Sequence, residues 1–367
     1  IGYKTQEISA KNKANLKVVL VEDNEMLDEV VVVGYGVQKK SDVTGAMIRV
    51  GSEELNSRPV ANAFEAMQGK AAGVDIVSNE RPGEVGTINV RGVRSLSASN
   101  TPLYVVDGIP LMSNSGIETL NPQDIESIDV LKDASATAIY GSRGGVILVT
   151  TKSGKEGKMS LNYSGTVTIE NLQDYSEMMN SAEYIDWRRW SYYYLNPSKY
   201  PRGDQPTKEN DYEIFLGATD PTAWRNIEKG WAGGTWDGSR VPNTDWCDMV
   251  TQTGVTHEHT LSASGGTDKM KGYASIGYLD NEGTVKGQSY TRYTTKLSLD
   301  LKPTKWFNLG LNVNGTFSEQ QYGSSASSVG QLIKGMPSNL YAASTSLFPY
   351  ASPYDEDGNR IEYPGGD

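Results

Sequence analysis

His257 and His259 stand two residues apart, a spacing that on an extended strand puts both imidazoles on one face. Two imidazoles are half of a tetrahedral metal site, and no further ligand stands at a suggestive spacing. We read them as strand residues and expect no metal. The acidic stretch YDEDGNRIEY (354–363) departs from the calcium-loop spacing of an EF-hand and reads as a hairpin turn. GKEGK (154–158) lacks the spacing of a phosphate-binding loop. Cys247, the single cysteine, sits beside Trp246 and reads as a small hydrophobe. Arg91, in NVRG, lies on a strand directly before Gly92. A buried arginine there needs carboxylate or carbonyl partners, and Asp107 and Asp129 are candidates. Arg91 and Arg143 are therefore expected in ion pairs rather than at a ligand. No nucleophile–base pair or carboxylate dyad is legible, so neither catalysis nor a cofactor is expected.

The chemistry that remains is that of surfaces. The net charge of −11 argues against nucleic acid as a partner. Only 37% of residues are hydrophobic, and 21 tyrosines stand against 5 phenylalanines. That composition suits short strands with long polar loops, or a polar-lined barrel. One cysteine excludes an internal disulfide framework. No run approaches the roughly 20 apolar residues of a membrane helix, and no signal peptide is expected before Ile1. The chain therefore reads as a mature exported protein or a fragment.

The elements that must carry these residues change in texture along the chain. Residues 1–23 alternate at Leu16, Val18 and Leu20, as the end of a small β domain would. LDEVVVVGYGVQKK (27–40) holds four consecutive valines, which form one strand either buried in this protein or kept for another protein's sheet edge. Residues 41–153 read as a compact α+β domain: a helix with Val60, Phe64, Met67 and Ala71 on one face, then short strands at GVDIVS, TINVRGV, PLYVVDGIP, IESIDVLKD and GVILVTTK. From Ser160 onward the pattern becomes long two-residue alternation. In SLNYSGTVTI, Leu161, Tyr163, Val167 and Ile169 oppose Ser160, Asn162, Ser164 and Thr166. Four further strands follow, several of about 10 to 14 residues against the usual five or six. GGTD (265–268) and KPTK (302–305) are tight turns that fall on one side, while 170–254 is a very long loop on the other. Alternation alone permits a soluble sandwich. Strand length and turn asymmetry favour a transmembrane antiparallel barrel. Five strands cannot close around a domain of this size, so an incomplete barrel is expected.

Several motifs, in this order, resemble the SusC/RagA-like TonB-dependent transporters of the bacterial outer membrane: LDEVVVVGYGVQKKSDVTGA, TINVRGVRS, PLYVVDGIP, LNPQDIESIDVLKDASATAIYGSRG, GVILVTTKSG, NTDWCDMV and LSASGGTDKMKGYASIGYLDNEGTVKG. The resemblance covers nearly the whole chain. It implies the end of a carboxypeptidase-regulatory-like β-sandwich (1–23), a TonB box and linker (24–40), an α+β plug (41–153), and the first strands and extracellular loops of a 22-stranded transmembrane β-barrel (154–367). Asp28, Glu29, Val30, Val31, Val32, Val33 and Gly34 resemble the box that pairs with TonB as an added strand. Arg91, Arg143, Asp107 and Asp129 become plug ion pairs, within the plug or to the barrel. The polar segment 94–102 is expected at the plug's outer apex, with Ser97, Ser99 and Asn100 as ligand contacts. Implied partners are TonB, a SusD-like lipoprotein lid, outer-membrane lipid and an oligosaccharide cargo, with oligopeptide as the alternative and a dimer of receptor–lid pairs as the assembly. Siderophore uptake and a non-transporting adhesin are weaker readings. The chain departs from the family where Gly144 and Gly145 are adjacent, shortening a loop before the last plug strand. The aromatic stretch YIDWRRWSYYYLNPSKYP is read as loop packing or partner contact rather than ligand contact.

Overall fold

The computed structural model describes residues 30–33, 36–39, 47–58, 60–78, 81–84, 86–92, 101–111, 117–132, 145–173, 177–216, 221–323, 340–355 and 357–361. The alternation at Leu16–Leu20 lies outside them. The valine run forms β1 (Val30–Val33), antiparallel to β2 (Gly36–Lys39), with Val30 opposite Lys39 and Val33 opposite Gly36.

The α+β domain follows. β3 (Met47–Gly51) leads into α1 (Ser52–Leu55) and α2 (Ala63–Met67). Asn62 starts α2 by accepting from the amides of Phe64 and Glu65 at 3.0 Å each, so the helix is shorter than the apolar spacing suggests. β4 (Val74–Val77) pairs with β5 (Thr87–Val90) in a small separate sheet. β6 (Leu103–Val106), β7 (Ile109–Pro110), β8 (Ile125–Leu131) and β9 (Val146–Thr151) complete a main sheet of order β3-β8-β9-β6-β7, in which only β6 and β9 run parallel. β8 and β9 are central strands buried on both faces; β9 opens on the apolar run VILV, whereas β8 buries Ser127 and Asp129 among its apolar residues. One face packs Phe64, Met67, Ile88, Ile117 and Ile128; the other packs Leu103, Val105, Leu131, Val146 and Leu148. Asp107 and Gly108 close the β6–β7 hairpin with φ of 48° and 85°, a two-residue turn that demands left-handed backbone and so selects Asp-Gly.

The alternating segments form one meander of long strands: β10 (Gly157–Glu170), β11 (Gly254–Gly266), β12 (Met270–Glu282), β13 (Gln288–Thr304) and β14 (Phe307–Tyr322). The turns at 267–269 and 305–306 lie at one end, and the 171–253 loop leaves from the other. That loop carries α3 (Ser181–Leu195), α4 (Lys208–Ile214), α5 (Pro221–Glu228) and α6 (Trp246–Val250), and α7 (Leu340–Ser344) follows β14. Tyr350 and Phe348 pack back onto Tyr184, Ile214 and Trp224, giving the loops an apolar core of their own. At its centre Arg189 grips Asp211 with two parallel bonds (Nε–Oδ1 2.8 Å, Nη2–Oδ2 2.5 Å), and the Trp231 indole donates to the same carboxylate at 2.9 Å. Tyr184, Ile185, Tyr192 and Tyr200 of the aromatic stretch thus serve packing, while Trp187, Tyr194 and Leu195 are exposed. YDEDGNR is a turn closed by a Tyr354–Arg360 bridge, in which Asp355 Oδ1 accepts the amides of Asp357 and Asn359.

The exposure of the two faces separates barrel from sandwich. The apolar set is turned out: Leu161 and Ile169 are 70% and 69% exposed, and Ile276, Leu297, Leu311 and Phe317 are exposed too. The polar set is turned in, with Thr260, Ser275, Arg292 and Lys296 buried against the α+β domain. Register aligns His259, Tyr278, Tyr293 and Phe317 in one aromatic row. Trp306 and Phe307 sit at the turn end. An apolar band between aromatic rows on the outer face is the signature of a membrane wall. Leu297→Arg, in the middle of that band, should cost about 2–4 kcal/mol. Leu297→Phe should be tolerated. The fraction of full-length protein that runs as the heat-modifiable folded form in outer-membrane extracts checks this; equal folding of both variants would place the apolar face away from lipid.

Candidate functional site at the seam between the α+β domain and the wall

Inward side chains of the wall meet polar groups of the domain at four places. Arg292, 2% exposed on β13, donates Nη1 to the carbonyls of Ala61 (3.2 Å), Glu118 (3.0 Å) and Leu120 (3.2 Å). Its Nη2 lies 3.9 Å from Glu258 Oε1 on β11. A guanidinium keeps its charge at any ordinary pH, so its burial is tolerable only because acceptors surround it. Nearby, Asp124 Oδ1 accepts from Tyr273 (2.8 Å) and Ser275 (2.6 Å) of β12. Asn121 works in two directions. Its Oδ1 takes the Gln123 amide (2.9 Å) and caps the short turn 122–124, and its Nδ2 reaches Thr260 Oγ1 at 3.0 Å. The wall keeps Gly277 opposite, where a Cβ would lie 2.5 Å from Asn121 Nδ2.

The third place is a relay. Lys296, also 2% exposed, donates to Asn312 Oδ1 (3.0 Å), Asn314 Oδ1 (3.2 Å) and Thr151 Oγ1. Asp107 accepts from the Thr151 amide (2.8 Å), the Thr151 hydroxyl (2.6 Å) and Asn312 Nδ2 (2.7 Å). The buried cation of the wall and the carboxylate of the β6–β7 turn are thereby joined through two neutral side chains. At the edge strand, Thr316 donates to the Thr119 carbonyl (3.2 Å) and Gln320 to that of Pro82 (2.7 Å).

None of the three apolar clusters among the described residues crosses this seam. It is held by hydrogen bonds, each worth about 0.5–1.5 kcal/mol net between neutral groups and more at the charges. Such a joint is specific in register yet can be opened bond by bond, because water satisfies each group released.

Above the Arg292 contact, toward the loop end, a cavity of about 270 Å³ remains between α2 and the wall. Its walls include Asn62, Glu65, Thr166, Thr256, Glu258 and Tyr290. Burial pushes the Glu65 carboxyl above its ordinary range, against the lowering effect of the Asn62 bond.

The residues singled out from sequence fall unevenly on this geometry. Val30–Val33 form the β1 strand; Asp28, Glu29 and Gly34 lie outside the described residues, as do Ser97, Ser99, Asn100 and Arg143. Asp107 is at the seam itself. Asp129, on β8, stands opposite Arg49 on β3, with Arg49 Nε 3.9 Å from its Oδ1. Arg91 is exposed, with φ of 59°, and its amide donates to the Gly73 carbonyl at 2.9 Å. Gly145 has φ of 118° and a Cβ there would stand 3.0 Å from Val90, so this position in the shortened loop needs glycine. Sequence reasoning missed Arg49, Asn121, Asp124 and Arg292. A charged residue inside the strands MIRVG and SYTRYTT was the available signal.

A family model for the TonB-dependent receptor plug domain matches residues 39–146. The receptor SusC of Bacteroides thetaiotaomicron is 33% identical over 379 residues, 98% of this chain and 33% of its own. The chain belongs to the SusC/RagA-like TonB-dependent receptors. The α+β domain is its plug, and the five-stranded wall is part of its barrel. A TonB-dependent receptor of Formosa agariphila is 36% identical over 87% of this chain and 28% of its own. Among solved structures, the RagAB peptide importer in its open-open state superposes with a TM-score of 0.68 at 28% identity, covering 91% of this chain and 36% of that one. The chain thus spans about a third of the length of the curated relatives it matches.

Removing the head group in Arg292→Met leaves three buried carbonyls without their donor and Glu258 without its nearest cation. Loss of a partner from such a buried set costs about 3–5 kcal/mol. We expect a loosened plug in the full-length receptor, read as transient openings in planar-bilayer conductance and as a new cut after Glu118 by a glutamate-specific protease. A variant as silent as wild type in both assays would show that the contact does not hold the plug.

Proposed function

We propose that the receptor imports a nutrient oligomer across the bacterial outer membrane, with energy delivered by TonB pulling on residues 28–34. The observation that carries this is the seam. A domain that fills a membrane barrel, yet is fixed to it by hydrogen bonds rather than by an apolar interface, is built to be displaced under load. The valine strand precedes β3, the first strand of the plug, and β3 is an edge strand of the main sheet. Force applied at the strand enters the plug at its edge. Strand addition suits this role, since main-chain bonds form a grip that depends little on side chains. On this reading the strand faces the periplasm, and the helical loop layer with the exposed Trp187, Tyr194 and Leu195 lies outside the cell.

The resemblance of the motifs makes an oligosaccharide the first cargo class. The superposition on RagAB, a peptide importer, supports oligopeptide as the second. A SusD-like lid over the loops, and pairing of two receptor–lid units, complete the assembly we propose. A siderophore receptor is a poorer fit to the SusC-like motifs, and an adhesin has no use for a plug.

Deletion of 28–34 should abolish energised uptake while ligand binding by the purified receptor stays unchanged. Growth on the cognate oligomer and calorimetric binding measure the two separately. Loss of both, or retention of uptake, would sink the assignment of the strand.

A further inference from the structure

Among the described residues, the chamber above Arg292 carries more carboxylates than cations. Glu65 of the plug and Glu170 and Glu258 of the wall contribute to its lining, and Arg58 is set against them. Arg81, which also lines it, is taken by Glu84 at 2.9 Å. Arg58 turns its guanidinium to the Glu65 carbonyl. Two groups at the chamber are buried with no hydrogen bond of good geometry: Glu258 Oε1, and the hydroxyl of Tyr290, a residue only 3% exposed whose nearest polar neighbour is the Arg292 guanidinium. Arg292, the cation nearest Glu258, already serves three carbonyls. Unsatisfied buried acceptors cost about 1–3 kcal/mol each, so the chamber favours an occupant rich in donors. A metal ion is the wrong occupant: among the described residues no three His, Cys, Asp or Glu side chains converge closely enough to hold one. The carboxylates are spread around the walls, which suits an organic cation with several N–H donors.

We propose that this chamber is a subsite for an ammonium-bearing part of the cargo, such as a lysine side chain or an amino-sugar ring. The proposal rests on the transport reading for the word cargo; the binding site does not. Glu258 and Glu170 on the wall and Glu65 on the plug would share the charge, with Tyr290 bonding from beneath. Because the site is split between plug and wall, an occupant would tie the two together at the place where they part.

The test uses the full-length receptor in detergent, in neutral buffer, titrated with Nα-acetyl-lysine methylamide and with its neutral Nε-acetylated form. Glucosamine and N-acetylglucosamine form the second pair. The charged member of at least one pair should bind about tenfold more tightly than the neutral one. The pair that shows the difference identifies the peptide or sugar source. Glu65→Gln combined with Glu258→Gln should erase the preference. Tyr290→Phe, which removes only a hydroxyl, should weaken the charged probe while the protein still folds, and it decides the matter if the double variant does not assemble. Equal binding of charged and neutral probes, binding of none, or a preference that survives both variants would overturn the subsite. If uptake proves independent of 28–34 while the charge preference holds, the transport reading falls and the subsite stands.

Discussion

The buried Arg292, held by three plug carbonyls, is the contact on which the rest of the arrangement depends. A strand wall with its apolar face turned to lipid offers mostly polar side chains inward, and a buried cation among them must find acceptors or the wall will not form around it. The plug supplies those acceptors from main chain that its own sheet does not use: the carbonyls at 61, 118 and 120 lie in connections outside its strands. Wall and plug are therefore each incomplete in a way the other repairs. Lys296 and Asp107 repeat the relation lower on the same strand, with Thr151 and Asn312 as intermediaries.

That polarity separates two kinds of cohesion. Inside the plug, two apolar clusters on the faces of one sheet give it a core that survives loss of any single outside contact. Across the seam there is no such cluster among the described residues. Disturbance of the joint should then displace or peel the plug before it dissolves the core, with β3 exposed to peeling because, among the described residues, it pairs only with β8. The loop layer follows the opposite logic. Its Arg189–Asp211 pair is buried, bidentate and covered by the Trp236 ring at 3.9 Å, so it is made to hold its shape over the barrel mouth.

Much of this was legible in the residues. Period-two alternation over long segments identified the five strands and both tight turns, because a strand with two different environments must alternate. The short β-prone runs IESIDVLKD and GVILVTTK marked β8 and β9, whereas PLYVVDGIP was read as one strand and is two, turned at Asp107–Gly108. The ordered motifs gave the family. The site was legible only in part: Asp107 was chosen as an ion-pair partner, whereas its strongest bonds are to Thr151 and Asn312, and the partner opposite Asp129 is Arg49.

The sequence by itself determined where strands and turns fall, which face of each strand is apolar, and that one valine-rich strand precedes the plug. It did so because these are local properties, set by side-chain period and backbone sterics within a few residues. Only the tertiary structure decided which face is buried, since lipid and core are equally apolar to a pattern. It also decided which charges meet. Arg292 and the Glu118 carbonyl are separated by 174 positions, and nothing along the chain announces a contact made by folding one domain inside another.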